Sequence, residues 1–144
     1  MAQSAGYLTL VITHLLDTSV YSQPLKPVPH PGVVARWQAL GDARLAVSVI
    51  AEAEVRYGLA LKGSAKLEAA YERILRGRLP VLPVDEAVGI AFATLKAAQH
   101  RLGKRVPDLD LLIAATAQVH QLVVATLNVK HFELIAGIRL EDWK

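Results

Sequence analysis

Three acids stand in apolar surroundings, where a carboxylate needs a reason to be: Asp17, Glu54 and Asp110. Asp17 closes the run VITHLL, at the carboxyl end of an expected strand, and suits either a cap for a short helix from Thr18 or a ligand. Glu54 falls in a helical pattern over 50–61, on one face with Ile50, Tyr57 and Leu61. That face is expected to pack inward, where a carboxylate is costly unless something positive meets it. Glu52 is expected on the solvent side, in an ion pair with Arg56 four residues on. Asp110 begins DLLIAATAQVH, apolar nearly all round and so an expected buried helix. Ala114 and Ala117 on its own face leave space beside it, and a helix N-terminus favours negative charge. Asp108, two residues earlier, is the expected N-cap or a supporting acid.

Taken singly, these acids have ordinary roles as a cap, a salt-bridge partner and a dipole partner. Held together they repel one another, and a cation is needed to keep all three ionised. Oxygen ligands select hard ions, so Mg²⁺ or Mn²⁺ is the expected cofactor. Such an ion activates water and stabilises the charge that develops in phosphodiester hydrolysis. Asp17, Glu54 and Asp110 are therefore the candidate catalytic and metal-holding residues.

The elements expected to bring them together alternate along the chain. Apolar runs of strand length lie at 10–16, 45–49, 79–84, 122–126 and 138–140, and helical patterns at 33–40, 50–61, 65–76, 85–102, 109–121 and 129–135. This alternation predicts an α/β fold with a parallel sheet of about five strands, flanked by helices in three layers. The strands are continuous apolar runs, as burial on both faces requires. The crevice beyond the carboxyl ends of such strands is where chemistry belongs. Residues 23–32 carry four prolines and read as a surface loop excluding helix and strand alike. Residues 1–144 are expected to form one domain, with 1–12 a leader and the start of the first strand.

A hydrophobic fraction of 53% excludes disorder. No apolar run approaches the roughly 18 residues of a membrane span, so no membrane association is expected. The chain has no cysteine, which removes thiolate metal sites and cysteine nucleophiles and suits a cytoplasmic location. A net charge of +3 favours an encounter with a polyanion. The cations cluster as Arg73, Arg76 and Arg78, and as Lys96, Arg101, Lys104 and Arg105; both groups read equally as solvated helix faces. The second is the candidate stripe for contacting such a polyanion. His14, His30, His100, His120 and His131 show no metal-ligand spacing, and none is expected to be catalytic. No G-x-S-x-G turn accompanies Ser19, and no glycine-rich phosphate loop is present. A receiver-like or phosphatase-like centre would need a second acid near Asp17, where Thr-Ser-Val follows.

The segments LLDTSV, SVIAEAEVRYGL and DLDLLIAATAQVHQLVVATLNVKHF resemble, in order and spacing, the PIN-domain family, in particular the VapC-type toxins of toxin–antitoxin pairs. The resemblance runs from about residue 14 to Trp143. It implies a PIN-like fold, hydrolytic cleavage of RNA with a divalent metal, a homodimer, and a small antitoxin protein that occludes the acidic pocket. It makes Asp17, Glu54 and Asp110 the acidic cluster, with Thr18 and Ser19 supporting the first acid and Thr126 and Asn128 lining the far side. Many relatives carry a fourth acid after the fourth strand, where Asn128 and His131 stand in this chain. The alternative reading is therefore a catalytically weakened PIN-like module that binds RNA or protein.

Overall fold

The computed structural model describes residues 11–144. Five strands form one parallel sheet in the order β3-β2-β1-β4-β5. They are β1 (His14–Leu16), β2 (Leu45–Ser48), β3 (Val81–Leu82), β4 (Val123–Thr126) and β5 (Leu140–Asp142). Around them lie α1 (Thr18–Tyr21), α2 (Pro31–Leu40), α3 (Val49–Lys62), α4 (Ala65–Ile74), α5 (Glu86–Arg101), α6 (Asp108–His120) and α7 (Val129–Phe132). This is the α/β architecture that the alternation of apolar runs predicts.

β1 lies at the centre. Leu15 pairs with Ala46 on one side and with Val124 on the other. Leu15, Leu16, Leu45, Ala46, Val47, Val124 and Ala125 have no solvent exposure, as strands covered on both faces require. Parallel neighbours need crossover connections, and crossovers of this kind are right-handed. The connections running from β1 to β3 therefore cover one face, and those returning toward β5 cover the other. The reversal falls between β1 and β4, which makes their carboxyl ends the switch point where open sheets of this type bind ligands.

Several boundaries differ from expectation for local reasons. Leu10, expected in the first strand, lies outside the described residues. The strand begins at His14, although Thr13 still bonds both neighbours, donating to Arg44 O and accepting from Val123 N. β3 is short because Pro80 and Pro83 flank it; the Pro80 carbonyl accepts from Val47 N, but a proline cannot donate to a ladder. The proline-rich segment is not wholly irregular. A 3₁₀ turn spans Gln23–Leu25, and Pro31 begins α2, where its missing N–H is harmless. β5 lies two residues later than expected, at Leu140–Asp142, followed by the fully buried Trp143. Among the described residues no helix is long and apolar enough to cross a membrane.

Ser48 ends β2 and caps α3 at once, its hydroxyl accepting from the amides of Ile50 and Ala51. α3 thus leaves the sheet without a loop, and the left-handed Gly63 stops it. The buried row of α3 is Ala51, Val55 and Leu59. Tyr57 and Leu61, expected inward with Glu54, are 67% and 73% exposed. The inward face is thus rotated from the expected one, and Glu54 sits at its margin, half-buried.

The carboxyl end of the chain closes over α2. A Cβ added to Gly32 would collide with backbone atoms of Trp143 and Lys144, whereas one added to Gly89 in α5 meets nothing within 4 Å. Gly32→Ala is expected to cost about 1–3 kcal/mol of stability, as overpacking does. Gly89→Ala is expected to add up to about 1 kcal/mol, since a helix interior favours Ala. Thermal denaturation of the two variants checks this, and a stable Gly32→Ala protein would refute the closure.

Candidate active site

Asp17 leaves β1 in extended backbone and caps α1, and it also lines the depression described below. Its Oδ1 accepts from Ser19 Oγ at 2.6 Å and from Val20 N at 3.0 Å, and its Oδ2 accepts from Thr126 Oγ1 at 2.6 Å. Each hydroxyl is itself held from behind. Leu127 N donates to Ser19 Oγ at 3.0 Å, and Asn128 N donates to Thr126 Oγ1 at 2.8 Å. Two backbone amides therefore act through two hydroxyls on one carboxylate, and such chains strengthen their members. At 4% exposure Asp17 is nearly sealed.

Glu54 comes from the second turn of α3. Thr18 Oγ1 donates to its Oε1 at 2.6 Å, so Thr18 holds Glu54 rather than supporting Asp17 as expected. Glu52 makes the expected ion pair with Arg56 but does not lie on the solvent side. Its side chain is only 19% exposed and accepts from Tyr71 Oη at 3.2 Å, while Arg56 stands 3.9 Å away. The cause is α4, whose Tyr71 packs back over α3 and covers that side.

Asp110 enters from the first turn of α6, its side chain 17% exposed, with His131 Nδ1 3.3 Å from its Oδ2. Ala114 and Ala117, expected to leave room beside it, are packed in the core. The room lies above them, in an open depression of about 370 Å³. Asp17, Thr18, Ser19, Glu54, Asp110, Asn128 and His131 line it, with Leu109 and Ile113 as apolar wall. Asp108 borders it too, but is not the cap: Pro107 holds that position, and Asp108 pairs with Lys96 at 2.9 Å. Thr126 approaches only through its bond to Asp17.

The electrostatics follow first from burial and then from the neighbouring charges. Burial pushes the Asp17 carboxyl above its ordinary range, against the pull of its three hydrogen bonds, and the charge of Asp110 adds to the rise. Burial likewise raises Asp110; His131 draws it down, and the Glu54 charge raises it. The donors are oxygens with one imidazole at the rim, a set suited to a hard divalent ion. Among the described residues no three acidic or imidazole groups meet closely enough to enclose an ion as they stand. The acids share one depression without touching.

His131 is the member that sequence reasoning set aside. It lacked a spacing signal because its partner Asp110 lies 21 positions earlier and meets it only through the packing of α7 beside α6. Of the basic stripe, Lys96, Lys104 and Arg105 line a neighbouring groove and Arg101 does not. Arg76 and Arg78 are paired with Glu72 and Asp42.

Comparison with known proteins adds a family. The PIN domain matches residues 14–138. Toxin FitB of Neisseria gonorrhoeae is 38% identical over 124 residues, covering 82% of this chain and 89% of FitB. The tRNA(fMet)-specific endonuclease VapC of Salmonella typhimurium is 35% identical over 133 residues, covering 92% and 99%. The solved structure of DNA-bound VapBC from Salmonella typhimurium superposes with a TM-score of 0.82 at 31% identity, covering 93% of this chain and all of that one.

The raised carboxyls fix a sign for stability. The unfolded chain ionises these acids at lower pH than the folded one, so their contribution to stability is lost as pH rises above the ordinary carboxylate range near pH 4. In metal-free protein at neutral pH, Asp110→Asn is expected to melt at a higher temperature than the unsubstituted chain, and the gain is expected to vanish near pH 4. Calorimetry at both pH values decides; a loss at neutral pH would mean that the charge is compensated.

Proposed function

The chain belongs to the PIN-domain family, and we propose that it is a divalent-metal-dependent endoribonuclease, the toxin of a toxin–antitoxin pair. The observation that carries this reading is the meeting of Asp17, Glu54 and Asp110, from three separate elements, in one depression at the switch point of the sheet. Asp17, Glu54 and Asp110 would hold Mg²⁺ or Mn²⁺, with the Asn128 amide oxygen available beside them. A bound ion of this kind activates water and offsets the charge that develops on the phosphate.

The protein's own residues do the positioning. Ser19 and Thr126 fix both oxygens of Asp17, so one donor direction is set before any ligand arrives. Thr18 orients Glu54, and His131 orients Asp110 from the solvent side. Leu109 and Ile113 limit water on one wall. Activity then needs movement of only Glu54 and Asp110, whose side chains are less tightly held than that of Asp17. The substrate is RNA, in keeping with the tRNA endonuclease to which the chain is similar. The partner is a small antitoxin that covers the acidic depression, the assembly is a homodimer, and the location is the cytoplasm, where both RNA and antitoxin are found.

One observation favours the second reading, a binding module with weakened catalysis. Asn128 and His131 occupy the region where relatives carry a fourth acid, and His131 already engages Asp110.

Cleavage of RNA, with single-stranded DNA alongside, separates the two. Mg²⁺ or Mn²⁺ is expected to support hydrolysis of RNA and a chelator to abolish it. Asp17→Asn or Asp110→Asn is expected to lower the rate about a hundredfold or more, the scale of removing a group that stabilises transition-state charge. Glu54→Gln should fall with them, while Glu52→Gln, bonded to Tyr71 outside the depression, should keep the activity. Metal-independent RNA binding with no hydrolysis would establish the second reading instead.

A further inference from the structure

Beside the acidic depression runs a second, larger one of about 570 Å³, between the last turns of α5 and the start of α6. The two share Pro107 and Asp108 and so adjoin at the first residues of α6. Lys96, His100, Lys104 and Arg105 stand around the groove, over the buried Leu111. Lys104 and Arg105 are exposed and make no ion pair among the described residues. Lys96 is held by Asp108.

Within this groove lies Gln99, only 2% exposed. Its Nε2 is the one buried side-chain nitrogen or oxygen among the described residues with no hydrogen-bond partner. Buried amides are nearly always paired, because an unpaired N–H keeps the full cost of leaving water. An apolar residue of similar volume would pack the α5–α6 contact without that cost. An amide retained there points to a ligand that accepts its hydrogen bond, and the surrounding cations specify that ligand as an anion.

We infer that this groove is a phosphate subsite for the RNA strand, in which the Gln99 amide and the Lys104 and Arg105 side chains hold a phosphate flanking the one at the acidic depression. The inference rests on reading that depression as the nuclease centre. Three carboxylates repel a phosphodiester chain, so a strand that reaches them needs cationic contacts elsewhere. The groove supplies them at the adjoining edge, next to the residues that begin α6. A strand lying along it passes Asp108, where Lys96 exchanges its carboxylate partner for phosphate.

The test uses the full chain and a short fluorescein-labelled single-stranded RNA, in chelator so that no hydrolysis occurs, with anisotropy read across a salt series. Replacing Lys104 and Arg105 together by Ala is expected to reduce the slope of log affinity against log salt by about 0.7, the contribution of one phosphate contact on a single strand. Gln99→Leu is expected to weaken RNA binding about tenfold, as loss of a hydrogen bond to a charged group does, while melting no lower than the unsubstituted chain. That combination separates a ligand-binding amide from a structural one. Unchanged RNA affinity in Gln99→Leu, or an unchanged salt slope in the double variant, overturns the subsite. Should Gln99→Leu fail to fold, the exposed double variant still decides. Binding that depends on these residues, with no cleavage by the unsubstituted chain in Mg²⁺ or Mn²⁺, would overturn the nuclease reading and leave the groove standing. Normal cleavage with KM unchanged in the variants would overturn the groove alone.

Discussion

The carboxylate of Asp17 and the donors that surround it are the interaction around which the centre of this protein is built. A nearly sealed acid at the end of the middle strand would be untenable without partners, and it has three. Those partners do more than satisfy it. Ser19 belongs to the segment after β1, Thr126 ends β4, and the amides behind both hydroxyls belong to the turn leading into α7. Asp17 therefore ties the two strands at the switch point and fixes the turn that holds Asn128 and leads into α7, which carries His131. Their geometry relative to Asp110 follows from that tie.

From this anchor the other acids are arranged by increasing freedom. Asp17 is held by three donors, Glu54 by the Thr18 hydroxyl, and Asp110 by His131 at the rim. The order makes physical sense for a centre that must accept a charged ligand. On the proposed reading, one rigid oxygen donor would set a ligand's position, and the others would adjust without breaking core packing. The cost of burying these carboxyls, and to a smaller extent of holding them near one another, appears as the upward shifts of Asp17 and Asp110. Stability is set against function here, as it commonly is at charged sites.

The surface beside the acids answers a different electrostatic requirement. A site rich in negative charge repels the polyanion it would act on, and a net charge of +3 spread evenly would do little against that. Lys96, Lys104 and Arg105 instead gather along the α5–α6 groove that adjoins the depression. Asp108 stands on the boundary and pairs with Lys96, so the acids and the cations meet at a single ion pair.

The sequence by itself determined the sheet, its helices and the identity of the acids, because these depend on local patterns. Continuous apolar runs marked the buried strands, and Asp17, at the end of the VITHLL run, marked the carboxyl end of the first strand. Periodicity did not determine which face of α3 packs inward. Ile50, Tyr57 and Leu61 make as apolar a row as Ala51, Val55 and Leu59, and the contacts with α1, α6 and the sheet selected the second. Tyr71 of α4 covered Glu52, and Glu54 was left at the margin of the inward face. Tertiary structure also decided that Thr18 serves Glu54, that Lys96 rather than a helix end takes Asp108, and that His131 meets Asp110. Each of these is a contact between elements distant in the chain. A side chain's periodicity records its own helix or strand, whereas such contacts depend on how two elements are packed, which no single stretch of sequence encodes.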